Sequence, residues 1–210
     1  MIAALYVDPK GPYVSMRGVD AWTKDRDAKL YDGPYPVVAH PECGPWGKLR
    51  HLSTKQDPEC GPRAVEQVRK FAGVLEHPAH SLLWEHCDLP APHGLPDEFG
   101  GRSYLVHQVK WGHACVKPTW LYVVGVDHDR VRREIWFPPF PNAEPTHMVC
   151  TGPRIKERLP VATKRAKRLT PPMFAAWLVN LASSVAELRA RLDSELGRET
   201  GAVEGEKAQQ

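Results

Sequence analysis

Two short apolar runs constrain this chain more than any other feature: Val37-Val38-Ala39 and Val74-Leu75 each break off into polar residues and a proline. Between them, Pro62 fits the first turn of a helix, Ala64, Val65, Val68, Phe71 and Ala72 fall on one helical face, and Gly73 fits the C-cap. Runs this short, joined through a helix, read as neighbouring parallel strands of an α/β sheet, since a crossover helix is the usual link between parallel strands. Side chains at the carboxyl ends of such strands face a common crevice. Here those ends carry His40-Pro41-Glu42-Cys43-Gly44-Pro45-Trp46 and Glu76-His77-Pro78-Ala79-His80-Ser81. Cys43 and Glu76 are therefore expected side by side.

The rest of the chain extends that sheet. Ile2 to Val7 reads as a first buried strand that stops at the breakers Asp8-Pro9-Lys10-Gly11-Pro12. Val19 to Trp22 reads as a second strand, and Thr23 to Tyr31 as two or three helical turns with Thr23 as N-cap. Tyr104 to Lys110 and Thr119 to Val126 are β-rich runs joined by an elaborated loop, which suggests an antiparallel pair. Phe174, Trp177, Leu178, Leu181, Val185, Leu188 and Leu192 recur at three- and four-residue spacing, the mark of an amphipathic helix. The expected organisation is an α/β core over 1–126, with a short, mostly parallel, Rossmann-like sheet flanked by helices. A Pro-rich and basic connecting segment over 127–170, a C-terminal helix over 171–197 and a disordered tail over 198–210 follow.

Proline is twice as frequent as usual, 21 of 210 residues, so stiff loops and short elements are expected. Five cysteines in irregular spacing, with no secretory signal pattern, point to reduced thiols in the cytoplasm. No apolar run reaches the ~20 residues of a membrane span, so no membrane partner is expected.

Several groups could carry chemistry. A Cys in a tight Pro/Gly loop at a strand end is exposed enough to act as a nucleophile, although Glu42 beside it predicts a raised thiol pKa. Glu76 could hydrogen-bond a substrate or, if buried, act as a protonated donor. An ordinary structural Cys beside a surface Glu is the plainer reading of the pair. His40, Cys43, His77 and His80, with Cys60, His86 and Cys87 near in sequence, could alternatively hold zinc. Asp8 either faces a ligand or simply closes a turn. Trp46 and Trp84 could each stack on a base or pack in the core. Arg154, Lys156, Arg158, Lys164, Arg165, Lys167 and Arg168 form a basic cluster, suited to phosphate contact or to a solvated loop.

The motif order also supports a resemblance. His40 to Trp46 is similar to the Pro-Cys loop of DNA cytosine-5 methyltransferases, Leu75-Glu76-His77-Pro78 to their Glu-Asn loop, and Gln108-Val109-Lys110 to their Gln-x-Arg strand. Short phage and prophage proteins share the pattern Trp111-Gly112-His113 followed by Lys117-Pro118-Thr119-Trp120-Leu121-Tyr122. The resemblance implies modification of a pyrimidine base, in DNA or as a nucleotide. Cys43 would attack C6 and Glu76 would contact N3, with Trp46, His77, Gln108 and Lys110 around the base. It further implies S-adenosylmethionine as cofactor, with Asp8, Gly11 and Asp20 as remnants of a reduced cofactor-binding half. A non-catalytic nucleic-acid-binding protein on the same scaffold is the alternative.

Overall fold

The computed structural model describes residues 1–47, 50–52, 57–148, 159–185 and 187–188. Six strands form one mixed sheet: β1 (Ile2–Leu5), β2 (Val19–Trp22), β3 (Val37–Ala39), β4 (Gly73–Pro78), β5 (Arg102–His107) and β6 (Pro118–Val124), in the order β2-β1-β3-β4-β6-β5. The first four run parallel. β6 is antiparallel to both β4 and β5.

The paired strands expected around Cys43 and Glu76 are present. Val37, Val38 and Ala39 pair with Gly73, Val74 and Leu75, and α1 (Cys60–Phe71) joins them. β4 runs through Glu76, His77 and Pro78 instead of stopping before them, because β6 pairs with it along its whole length. Glu76 is thus a strand residue, held in register by Leu121 of β6 one position beyond the last β3 pair. The end of α1 also differs from expectation. Ala72, not Gly73, occupies the C-cap, and Gly73, with φ +126°, turns the chain straight into the strand.

Other sequence expectations shift for identifiable reasons. β1 ends at Leu5 because Tyr6 takes a left-handed conformation. Thr23 to Tyr31 forms two 3₁₀ turns rather than one helix, divided at Asp27, which is also left-handed. Thr23 offers no side-chain cap. Gln108 to Trp111 is a 3₁₀ turn just beyond β5, so the Gln108-Val109-Lys110 triplet is not on a strand.

A short helix, α2 (Leu83–His86), follows β4. The Pro-rich segment contains α3 (His128–Trp136), whose start is capped by the Asp127 carboxylate. It also contains α4 (Lys164–Arg168), capped by the Thr163 hydroxyl. The C-terminal helix α5 covers residues 172–185 and buries Phe174, Ala175, Leu178, Leu181, Ala182 and Val185 on the core. Each large side chain on that face contributes about 1.5–3 kcal/mol by burial. The expected extension of this helix to 197 lies largely outside the described residues, and the tail over 198–210 entirely so. Among the described residues, no helix is long and apolar enough to cross a membrane.

Candidate active site

The order in which strands are added reverses between β1 and β3. β1 leads outward to β2, and β3 leads the other way to β4. In an open α/β sheet, the crevice outside the carboxyl ends at such a point is where ligands bind. At this edge lies a continuous chain of polar side chains. The Tyr13 hydroxyl is 2.6 Å from His40 Nε2, and His40 Nδ1 is 2.9 Å from Glu76 Oε2. Gln108 Nε2 donates to Glu76 Oε1 (2.9 Å), as does the Thr119 hydroxyl (3.2 Å).

Charge decides the protonation pattern. Burial on its own would push the Glu76 carboxyl up, but the Lys117 ammonium and the His40 ring hold it down, to about 2. Glu76 is therefore an ionised acceptor, and the protonated donor expected of a buried Glu is not what its neighbours favour. Against an ionised Oε2, His40 donates from Nδ1, so Nε2 accepts from Tyr13. Burial and the Glu76 charge keep that hydroxyl protonated by raising its pKa. A carboxylate accepts about four hydrogen bonds. His40 and Gln108 take two, and the Thr119 hydroxyl, which the Lys117 carbonyl attracts at the same 3.2 Å, takes a third when it turns to the carboxylate, leaving one lone pair for an incoming N–H.

Cys43 is exposed in the loop after β3 and begins a 3₁₀ turn. Its thiol pKa is raised, first by desolvation and then by Glu76, against the opposing pull of Lys117 and Arg168. The thiol and the carboxylate thus lie within electrostatic reach of each other. The expected rise has a different source from the expected one. The Glu42 carboxylate instead accepts the backbone N–H of Asp57 (2.9 Å) and acts on Cys60.

The basic cluster meets the site in part. Lys117 Nζ bonds the Leu169 carbonyl just past α4 (3.4 Å), and the Arg168 charge reaches Cys43. Lys164, Arg165 and Lys167 share that helix. Arg154, Lys156 and Arg158 lie outside the described residues.

Other candidates are placed elsewhere. Lys110 acts on His107 rather than on Cys43 or Glu76. Trp46 packs against His86 with ring centroids 4.8 Å apart, and any side chain at Gly61 would meet its indole nitrogen, a Cβ there lying 2.6 Å from it. Trp84 is buried and donates to the Ser103 hydroxyl (3.0 Å). His77, next to Glu76 on a strand, points to the opposite face of the sheet. It is fully buried near Trp84, and among the described residues neither ring nitrogen meets a partner in hydrogen-bond geometry, although the Glu42 backbone lies close to the ring.

No family model, curated protein or solved structure matches the chain. The functional reading therefore rests on residue types and geometry.

The residues proposed for a cofactor do not fit one. Asp8 closes a turn on itself, its carboxylate accepting from Lys10 N and its carbonyl from Gly11 N, each at 2.8 Å. Both oxygens of Asp20 are taken by Arg26 and the Trp22 indole. Among the described residues, no three His, Cys, Asp or Glu side chains gather as a metal site. His40, the central member of the zinc reading, has both nitrogens engaged.

Tyr13, Thr119, Lys117 and the pairing of His40 with Glu76 were not singled out as site residues by sequence. A partial signal existed for one of them: Thr119 lies two residues from Leu121, the register partner of Glu76, and so shares its face. Tyr13 carries no such signal, because it reaches the site from a 3₁₀ turn after a breaker cluster.

The unpartnered His77 has a measurable consequence. Burial depresses its pKa to about 4, against about 6.5 when unfolded. Between those values the unfolded chain binds the extra proton, so the neutral ring's contribution is present above pH 6.5 and lost as pH falls toward 4. The loss amounts to about 3 kcal/mol in all. His77→Leu removes this decline and also raises stability at pH 7 by about 1–3 kcal/mol, by eliminating two unpaired buried nitrogens. Denaturant melts of both proteins between pH 7 and pH 4 check it. Parallel curves for the two would contradict the burial account.

Proposed function

We propose that this protein modifies a pyrimidine base through covalent addition of Cys43 to C6, with the Glu76 carboxylate accepting from the exocyclic amine and relaying a proton to N3. The observation that carries the reading is the ionised, three-quarters-satisfied Glu76 within electrostatic reach of the Cys43 thiol, at the carboxyl edge of the sheet. The strand order supports it as well. The first four strands follow the parallel order 2-1-3-4 of a doubly wound sheet, with antiparallel β6 in the next position.

The chemistry assigns a task to each side chain. Cytosine C5 is a poor nucleophile until a thiolate adds at C6 and the displaced ring electrons collect toward N3 and C5. The Cys43 proton must leave first, and the positive charges of Lys117 and Arg168 favour the thiolate. The ionised Glu76 carboxylate takes up the proton that leaves the Cys43 thiol and delivers it to N3 as charge develops there, so that sulfur and hydrogen add across the ring with no net change at the carboxylate, and His40 donates to Oε2 throughout. Tyr13 holds His40 in the tautomer this needs. After an electrophile is captured at C5, loss of the C5 proton and expulsion of the thiolate restore the ring. Gln108 Oε1, buried and without a donor among the described residues, is an additional acceptor beside the carboxylate. The one-carbon donor implied by the resemblance, S-adenosylmethionine, has no fitted residues at Asp8, Gly11 or Asp20, and no step is assigned to it.

The internal engagement of those residues also favours a second reading, a non-catalytic nucleic-acid-binding protein on the same scaffold. An oligonucleotide with pyrimidin-2-one in place of cytosine separates the two, because loss of the exocyclic amine makes C6 more electrophilic. The wild type is expected to gain the oligonucleotide's mass under denaturing conditions and Cys43→Ser to gain none. A wild type that gains no mass overturns the catalytic reading. A nucleoside digest of DNA from cells expressing each protein, compared by mass spectrometry, then identifies the product.

A further inference from the structure

The end of α3 and the loop after it hold an aromatic group that packing does not explain. Trp136 is 80% exposed and Phe137 75%, whereas the chain's other tryptophans are buried or half-buried. Phe140, 43% exposed, lines a shallow cleft of about 650 Å³ together with Gly112, His113, Ala114 and Thr146. Large aromatic side chains exposed this close together in sequence suit an interaction surface better than a folding requirement.

This cleft adjoins the basic helix and, through it, the Cys43 site. His113 lines the cleft, lies close to the Ala166 backbone of α4 and feels the Glu76 charge. Cys115, next to the cleft residue Ala114, feels Lys167. Lys117 then ties the loop to the end of α4, where Arg168 acts on Cys43. Glu144 is the acid lining the cleft. On α3, Arg130 and Arg132 are paired with Glu134 and Asp129.

We propose that Trp136, Phe137 and Phe140, with Lys167 and Arg168, form a track that binds a single-stranded polynucleotide and leads it to Cys43 and Glu76. The proposal deepens the pyrimidine-modifying reading and rests on it for the direction of travel. Aromatic faces followed by cations suit a strand whose bases stack and whose phosphates are neutralised in turn. The occupant is single-stranded because a duplex hides the base faces that Trp136 and Phe137 would stack upon. It is longer than a free nucleotide because the proposed contacts run from the end of α3 to the end of α4.

Fluorescence anisotropy with a dye-labelled oligodeoxycytidylate tests the track, with duplex, oligoribocytidylate and cytidine monophosphate as competitors. The wild type is expected to bind the strand at low salt and to prefer it to the duplex and to the mononucleotide. Trp136→Ala/Phe137→Ala weakens binding about 5- to 100-fold. Lys167→Ala/Arg168→Ala reduces the steepness of the salt dependence by about 1.4, at about 0.7 per phosphate contact. Leu95→Ala, an equally exposed apolar position beside the opposite end of β5, leaves binding unchanged. Effective competition by the ribo-oligomer supports the track and extends its occupant to RNA, and weak competition supports it for DNA. The proposal is overturned if no strand binds, if the aromatic double variant binds like the wild type, or if duplex or mononucleotide competes as well as the strand. Strand binding without any covalent adduct would leave the track standing and remove the catalytic reading. An adduct with cytidine monophosphate and no strand binding would do the reverse.

Discussion

Gly73→Ala is expected to destabilise the fold by more than about 4 kcal/mol, enough to consume much of a typical domain's stability of ~5–15 kcal/mol. Gly73 has φ +126°, a conformation that strains any L side chain, and its added Cβ would sit 1.9 Å from the Val37 carbonyl oxygen and 2.8 Å from the Val37 nitrogen. Both are backbone atoms of β3, so relief requires the paired strands to separate. That separation would undo the contact on which the site depends, since β3 leads to His40 and Cys43 and β4 carries Glu76. Urea denaturation measures the loss. A variant within 1 kcal/mol of the wild type would mean that β3 and β4 are not held at this distance. Gly125→Ala, where the nearest atom is the Ala72 side-chain carbon at 2.8 Å rather than backbone, is the milder control.

The same junction shows why part of the fold was legible in the sequence. β2 and β3 stand where breakers and β-branched runs placed them, and α1, the β5–β6 pair and α5 follow from apolar periodicity. α3 was not legible because Val131 is its one buried residue. Its helix depends on the Asp127 cap and on the Arg130–Glu134 and Asp129–Arg132 ion pairs, which leave little apolar pattern to read. The site divides in the same way. Cys43 and Glu76 could be placed at one sheet edge from their strands, and Gln108 from its interval. Their partners could not, because His40, Tyr13, Thr119 and Lys117 are brought to Glu76 by contacts distant in sequence. The charge state of Glu76 depends on two of those partners, and so the choice between an accepting carboxylate and a protonated donor stayed open in the sequence.

Glu76→Gln separates the structural use of this side chain from its chemical use. The variant is nearly isosteric, and its amide oxygen can still accept from Gln108 and Thr119. Its amide nitrogen then faces His40 Nδ1 and donates to it. His40 responds by shifting its proton to Nε2 and donating to the Tyr13 oxygen, so every bond in the chain survives in the opposite sense. Stability should fall by only about 1–2 kcal/mol. Glu76→Leu, by contrast, leaves His40, Gln108, Thr119 and Lys117 without their anion and should cost about 3–5 kcal/mol. The chemical effects of Glu76→Gln run in opposite directions. Removing the negative charge lowers the Cys43 pKa, because Glu76 is one cause of its rise, and the thiol alkylates faster at neutral pH. Yet with no carboxylate to carry a proton to N3, covalent addition to the pyrimidine should fall by about 10²–10⁴-fold. Iodoacetamide kinetics across pH and the pyrimidin-2-one adduct assay measure the two effects on one protein. A purely structural Glu76 would give an unchanged or faster adduct rate alongside the more reactive thiol. Only a carboxylate that acts on the substrate makes the thiol more reactive and the reaction slower at once.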